Sequence, residues 1–251
     1  MARLDIEHVT QGFDTLTVLS DIDLTVESGQ IACLLGPSGC GKTTLFHVIA
    51  GLAAPLRGRV LLDGRDITGQ PGQLAYMLQK DLLLREKTIL DNVSLPLVLR
   101  GVPKGEARSQ ARELFDTFGL AGTETRWPAE LSGGMRQRAA LLRSYLFNRD
   151  FMLLDEPFSA LDAFTKRDMH AWFLDVADRV GTTALVVTHD IDEAVEISDE
   201  VYVMRGAPQQ GKPTVIAGCE RIDDCPRNAR EGYALTEPFL EHKRRLLSLL
   251  G

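Results

Sequence analysis

A chain of 251 residues with 44% hydrophobic, 6% aromatic and 25% charged residues can bury a sizeable core, as one large domain or two small ones. That ordinary balance excludes collagen-like, low-complexity and wholly disordered classes. Thirty-five acidic side chains against 28 basic ones give a net charge of −7, which argues against nucleic acid as a partner and against attachment to anionic lipid by charge.

No run approaches the ~18 consecutive apolar residues of a membrane-spanning helix. Four cysteines are too few for a disulfide scaffold, and the composition fits reduced thiols in a soluble, cytosolic chain. Cys219 and Cys225 could pair or share a metal, although no further Cys or His forms a ligand cluster near them.

Taken in chain order, Leu4 and Ile6, Leu16 and Val18, then Ile22, Leu24 and Val26 alternate with polar residues. This predicts strands, with turns at Gly12, Asp14 and Glu27-Ser28-Gly29. Ile31-Ala32-Cys33-Leu34-Leu35 lacks alternation and predicts a strand covered on both faces, as in a parallel sheet. A short helix is expected over 43–52 and a strand over 58–63. From about 88 to 148 the pattern is mostly helical; across 106–118 the apolar spacing falls on Ala107, Ala111, Leu114, Phe115 and Phe118. Strands return at 151–154, 184–187 and 200–204, so strands alternate with helices and predict an α/β sheet carrying a helical insertion. Beyond Gly206 a tail rich in Gly, Pro and Gln precedes one amphipathic helix over 237–250. Its expected apolar face is Phe239, Leu240, Leu246, Leu247 and Leu250, docked on the body rather than on a membrane.

Gly36-Pro37-Ser38-Gly39-Cys40-Gly41-Lys42-Thr43-Thr44 follows the apolar strand and opens the first helix. This is the spelling of a phosphate loop: glycines let the backbone N–H groups turn inward around an anion, and the helix N-terminus adds its dipole. Lys42 can bridge β- and γ-phosphates, and the Thr43 hydroxyl can ligate magnesium. Two further apolar strands end in chemistry. Residues 151–154 run into Asp155-Glu156, where Asp155 suits the magnesium of a nucleotide and Glu156 suits a general base or water-positioning group. Residues 184–187 run into Thr188-His189-Asp190, where His189 can donate to a γ-phosphate oxygen; a lone histidine there could equally cap or fill the core. Leu131-Ser132-Gly133-Gly134 before a helix reads either as a second anion site or as a plain helix start with Ser132 as its N-cap.

Together and in this order, these motifs resemble the ATP-binding subunit of ABC transporters over about residues 4–204. The resemblance identifies Ser132, Gly133 and Gly134 with the signature, and Ser159-Ala160-Leu161-Asp162 with the D-loop. It also identifies Gln79 with the Q-loop glutamine near magnesium, His189 with the switch histidine and Phe13 with the aromatic that stacks on adenine. The implied fold is a P-loop NTPase (RecA-like) α/β core with an antiparallel β subdomain and an inserted α-helical subdomain. The implied division is 1–87 and 149–215 for the core with its β subdomain, 88–148 for the helical signature subdomain, and 216–251 for the tail. The implied cofactors are ATP and Mg2+. The implied assembly is a head-to-tail pair of ATPase subunits with two nucleotides at its interface, docked on membrane permease subunits at the cytoplasmic face and served indirectly by an extracytoplasmic substrate-binding protein.

LSGGMRQR (131–138), DEPFSALD (155–162) and THDIDEA (188–194) are most similar to importers of the nitrate, sulfonate and taurine type, including thiamine-precursor relatives. Met135 stands where many relatives carry Gln, and Arg85-Glu86-Lys87 where many carry Pro-Trp, on the surface expected to meet the permease. The rival readings are an exporter or lipid-extraction ATPase within the family, and a soluble ABC ATPase of DNA repair or the ribosome. The latter would need long coiled coils between loop and signature, or two cassettes; one phosphate loop is present.

Overall fold

The computed structural model describes residues 2–230 and 232–251. Its elements run β1 (Leu4–Phe13), β2 (Leu16–Val26), β3 (Ile31–Leu35), α1 (Lys42–Ile49), β4 (Arg57–Leu62), β5 (Arg65–Asp66) and β6 (Ala75–Met77). There follow α2 (Ile89–Val93), α3 (Leu95–Leu99), α4 (Lys104–Arg112), α5 (Gly133–Phe147), β7 (Phe151–Asp155) and α6 (Ala163–Val180). The chain closes with β8 (Thr183–Thr188), α7 (Ile191–Ile197), β9 (Glu200–Ala207), β10 (Lys212–Arg221) and α8 (Glu237–Leu250).

The strands are ordered β5-β4-β1-β2-β10-β9-β3-β8-β7-β6. From β6 to β9 the pairing is parallel; β5, β4, β1 and β2 form an antiparallel flank. The two parts meet through the single pair Thr214 and Leu19, so β10 is the hinge piece between them. This is the mixed α/β architecture expected from the alternation of strand and helix patterns.

Strand β3 explains why its sequence does not alternate. Ile31, Cys33 and Leu35 enter one core, with helices α2 to α7, while Ala32 and Leu34 enter the other, with α1 and the antiparallel flank. Strands β7 and β8 divide in the same way: Met152, Leu154, Ala184 and Val186 face the first core, Phe151, Leu153, Leu185 and Val187 the second. A strand apolar on both faces can present polar groups only past its end, so the chemistry is driven to one sheet edge.

Three expectations are corrected. The helix read over 106–118 ends at Arg112, because the N–H groups of Leu114 and Phe115 turn to the carbonyls three residues back, at Ala111 and Arg112; Leu114, Phe115 and Phe118 pack from turns. The tail conceals a strand: β10 pairs with β9 and crosses position 215, where core and tail were expected to divide. Helix α8 docks on the body, and Phe239, Leu246 and Leu250 face inward as expected, joined by His242 and Leu249; Leu240 and Leu247 lie about a quarter-turn away and stay exposed. All four cysteines are free, Cys33 and Cys40 buried.

Candidate nucleotide site

Parallel pairing sets the carboxyl ends of β3, β7 and β8 side by side, with Leu35 opposite Thr188 and Asp155 opposite Val187. The residues expected to do chemistry leave from these ends. After Leu35 the loop 36–41 folds back on itself: Cys40 N–H donates to the Pro37 carbonyl at 3.3 Å, and Gly39 and Gly41 take φ of 80° and 103°. At Gly41 a Cβ would also lie 2.8 Å from Val18 Cγ1, so only glycine admits both the turn and the approach of β2. Pro37, Ser38 and Gly39 are exposed at the crest, Gly36 and Cys40 are buried at its feet, and Thr43 and Thr44 begin α1. Lys42 is buried, its ammonium donating to the Gly36 and Pro37 carbonyls at 2.7 and 3.0 Å, which sets a fixed positive charge against the loop. Burial pushes the Cys40 thiol up, so it remains a neutral packing group. Its carbonyl accepts from the Thr214 hydroxyl at 2.5 Å, a brace from β10 that no sequence motif announces.

At the end of β7 the carboxylates part company. Asp155 is buried, and burial raises its pKa against the opposing hydrogen bond from Tyr76, whose hydroxyl donates to Oδ2 at 3.3 Å. Tyr76 in turn packs edge-on against Phe46 of α1, tying the two ends together. Glu156 continues the β7–β8 ladder by donating its N–H to Val187 O at 3.0 Å, then turns at φ 46°. For a non-glycine residue that left-handed backbone costs energy, and such costs concentrate at functional sites.

The turn aims Glu156 at two partners from other strand ends. His189 Nδ1 lies 3.2 Å from Oε1, and Gln79 Nε2 donates to Oε2 at 3.3 Å. Gln79 Nε2 also reaches Ser159 Oγ at 3.2 Å, and the Ser159 hydroxyl donates back to the Glu156 carbonyl at 2.9 Å. Glu156, His189 and Gln79, far apart in the chain, therefore form one cluster. Ser159, read in the sequence only as the first residue of the D-loop, completes it, while Tyr76, which no motif marked, serves the neighbouring Asp155.

Other expected residues make no hydrogen bond to this cluster. Ser132 caps α5, accepting from Met135 N–H at 3.3 Å, so the helix-start reading of that motif is realised. Gly133 lines an open groove of about 560 Å³ with Gln79, Lys80, Gln137, Ser159 and Leu161, to which no phosphate-loop residue contributes. Asp162 caps α6 through the N–H groups of Phe164 and Thr165, and the Thr165 hydroxyl bonded to it holds its carboxyl below the usual range. Phe13 is 56% exposed at the end of β1.

A strand, a glycine loop closed over a buried lysine, and a helix, with acids two strands away at the same sheet edge, define a P-loop nucleotide-binding protein. Residues 19–159 match the ABC transporter family. The sulfate/thiosulfate import ATP-binding protein CysA of Gloeobacter violaceus is 41% identical over 227 residues, covering 89% of this chain and 65% of that protein. The chain thus spans just under two thirds of that relative's length. The formylaminopyrimidine import ATP-binding protein ThiZ of Halalkalibacterium halodurans is 42% identical over 209 residues, covering 83% of this chain and 82% of ThiZ. Among solved structures, the dimeric post-hydrolysis state of the ATP-binding cassette MJ0796, bound to ADP and Pi, superposes with a TM-score of 0.71 at 25% identity, covering 87% of this chain and 98% of that one. The chain belongs to the ABC transporter family and has the fold of an ATP-binding cassette.

Proposed function

We propose that this chain hydrolyses ATP to energise an import-type ABC transporter for a small organic or inorganic anion or a related nutrient, the nitrate, sulfonate and taurine class among them. The observation that carries the hydrolytic part is the convergence of Gln79 and His189 on the Glu156 carboxylate at the sheet edge shared with the phosphate loop. In this reading the amides of residues 36–44 and Lys42 hold the phosphates, and Phe13 stacks on adenine. Glu156 orients the attacking water and accepts its proton; His189 and Gln79, one on each carboxylate oxygen, keep its plane fixed.

Asp155, the Thr43 hydroxyl and the Gln79 side-chain oxygen make an all-oxygen donor set suited to magnesium, and Asp155 is a buried carboxylate whose charge a cation would favour. Bound there, the ion supplies neutralisation of the β- and γ-phosphate charge. Ser132, Gly133 and Gly134 of a second copy complete each nucleotide site head-to-tail; the dimeric MJ0796 cassette supports the pairing of two copies. No helix among the described residues is long and apolar enough to cross a membrane, which supports delegation of the crossing to permease subunits at the cytoplasmic face. The import names of the relatives favour uptake, with a separate extracytoplasmic binding protein as the indirect partner.

Glu156→Gln tests the hydrolytic reading. Turnover of the purified chain with MgATP should fall at least about a hundredfold while ATP binding is retained and closed dimers accumulate. Undiminished turnover would remove Glu156 from the mechanism. Co-purification from native membranes should bring down a permease; an isolated chain with no membrane partner would sink the transport reading.

A further inference from the structure

Gln79 reaches the catalytic carboxylate, yet the backbone just beyond it is held by the helical part of the molecule. Residues 80–84 form no helix or strand. Arg143 of α5 grips them: Nη1 donates to Leu82 O at 2.8 Å and Nη2 to Asp81 O at 2.5 Å. Arg136, about two turns earlier on the same face of α5, donates from Nε to Asp81 Oδ2 at 3.2 Å and from Nη1 to Leu131 O at 2.8 Å. Asn92 of α2, fully buried, closes the far end by accepting from Leu84 N–H at 2.6 Å and donating to Leu84 O at 3.0 Å. Leu82 itself sits at φ 46° with its side chain exposed, a conformation costly for leucine that leaves its carbonyl in the grasp of Arg143.

The segment is thus a short strap. One end, Gln79, lies on Glu156 and Ser159; the middle, Asp81 and Leu82, is bonded to the helix that begins at Ser132-Gly133-Gly134, and the far end, Leu84, to Asn92 of α2. A planar guanidinium with two parallel donors can hold successive carbonyls at fixed spacing, whereas an ammonium offers one point charge. We propose that Arg143 is the positioning residue that carries movement of α5, the helix opened by the signature residues, to Gln79, and through Gln79 to the orientation of Glu156. This rests on the hydrolytic roles proposed for Gln79 and Glu156.

The test uses the full chain with MgATP as probe and three variants, Arg143→Ala, Arg143→Lys and Gln79→Ala. Arg143→Ala should lower kcat about tenfold with KM for ATP within about twofold, and Arg143→Lys should fall between it and the wild type. In the wild type, amide hydrogen exchange over 80–85 and over 133–143 should respond to MgATP together. In Arg143→Ala the 133–143 response should persist while that of 80–85 is lost. A structural role alone would lower thermal stability and leave the two responses linked, and that result overturns the proposal. So does wild-type kcat in Arg143→Ala when Gln79→Ala is impaired; undiminished turnover in Gln79→Ala overturns the underlying reading and the strap with it. If Arg143→Ala fails to fold, Arg143→Lys decides: full turnover with linked exchange responses refutes the strap.

Discussion

At the scale of single residues, Thr214 shows how much the phosphate loop owes to a distant strand. Its hydroxyl is fully buried and donates to the Cys40 carbonyl, so β10 fixes the backbone beside the lysine and the glycines. Thr214→Val preserves shape but leaves that carbonyl without its hydroxyl partner. The expected loss is about 1–2 kcal/mol of stability, together with weaker ATP binding, while Thr214→Ser keeps both close to wild type. Urea unfolding and nucleotide titration check this; equal ATP affinity in the valine variant would deny the brace a role at the loop. The glycines and Lys42 were legible because their spelling is contiguous and local backbone chemistry demands it. Thr214 was not, because Lys212-Pro213-Thr214 and Gly218 read locally as tail and turn, and only pairing with β9 makes a strand of them. Glu156 lies between these cases: an acid after an apolar strand is readable, whereas the φ of 46° and the two partners it serves exist only once three strand ends are brought together.

At the scale of elements, α6 and α7 are joined by a half-buried ionic cluster that holds the loop of His189 against the helix following the D-loop. Lys166 lies 2.7 Å from Asp190 and 2.6 Å from Glu193; His170 lies 2.7 Å from Glu196 and 3.6 Å from Glu193, with Phe158 edge-on to its ring. Burial alone would lower the His170 pKa, but the two carboxylates outweigh it and hold it above the usual 6.5. Burial likewise opposes ionisation of Glu193, yet His170 and Lys166 keep its carboxyl below the usual 4.5; Lys166 does the same for Asp190. A raised histidine contributes stability that is complete below its unfolded pKa and is lost as pH rises through the folded value. The lowered carboxylates contribute above their unfolded values and lose it as pH falls through the folded ones. The α6–α7 pair should therefore be most secure above the unfolded carboxylate values and below the histidine's unfolded 6.5, weakening as pH rises from there through the raised value. His170→Gln, which can still bond Glu196 but cannot titrate, should be less stable than wild type near about pH 6, with the difference narrowing toward about pH 9. Denaturant midpoints across that range decide; a difference independent of pH would show that the His170 charge is not what binds the helices. The helices themselves were legible only as the intervals between the apolar strands at 151–154, 184–187 and 200–204. Their ionic lock was not, since Lys166, His170 and Glu193 read along the chain as ordinary polar positions.

At the scale of the whole molecule, the parallel sheet gathers the candidate nucleotide site at one edge, and the surface beside the helical insertion falls to the permease in the proposed function. Residues 84–88 belong to that surface and are unusually well fixed for an exposed turn. Asn92 Nδ2 donates to the carbonyls of Leu84, Lys87 and Thr88 at 3.0, 3.1 and 3.0 Å, and Lys87 N–H donates to Leu84 O at 3.1 Å. The backbone is thus held from within, while Arg85 and Glu86 stand exposed and Lys87 half-buried, close to the strap that runs back to Gln79. A rigid turn with free charged side chains can be altered in sequence without unfolding, and rim charges of this kind set partner choice more than internal stability. Replacing Arg85 and Lys87 by Glu, with Asn92 left intact, should leave ATP affinity and basal turnover within about twofold of wild type, and should weaken permease association and coupled transport by about tenfold or more. Nucleotide titration on the isolated chain and transport in membrane vesicles separate the two effects. Coupled transport that survives the double charge reversal would place the permease elsewhere on the cassette; loss of ATP binding would mean that the turn serves the nucleotide site directly.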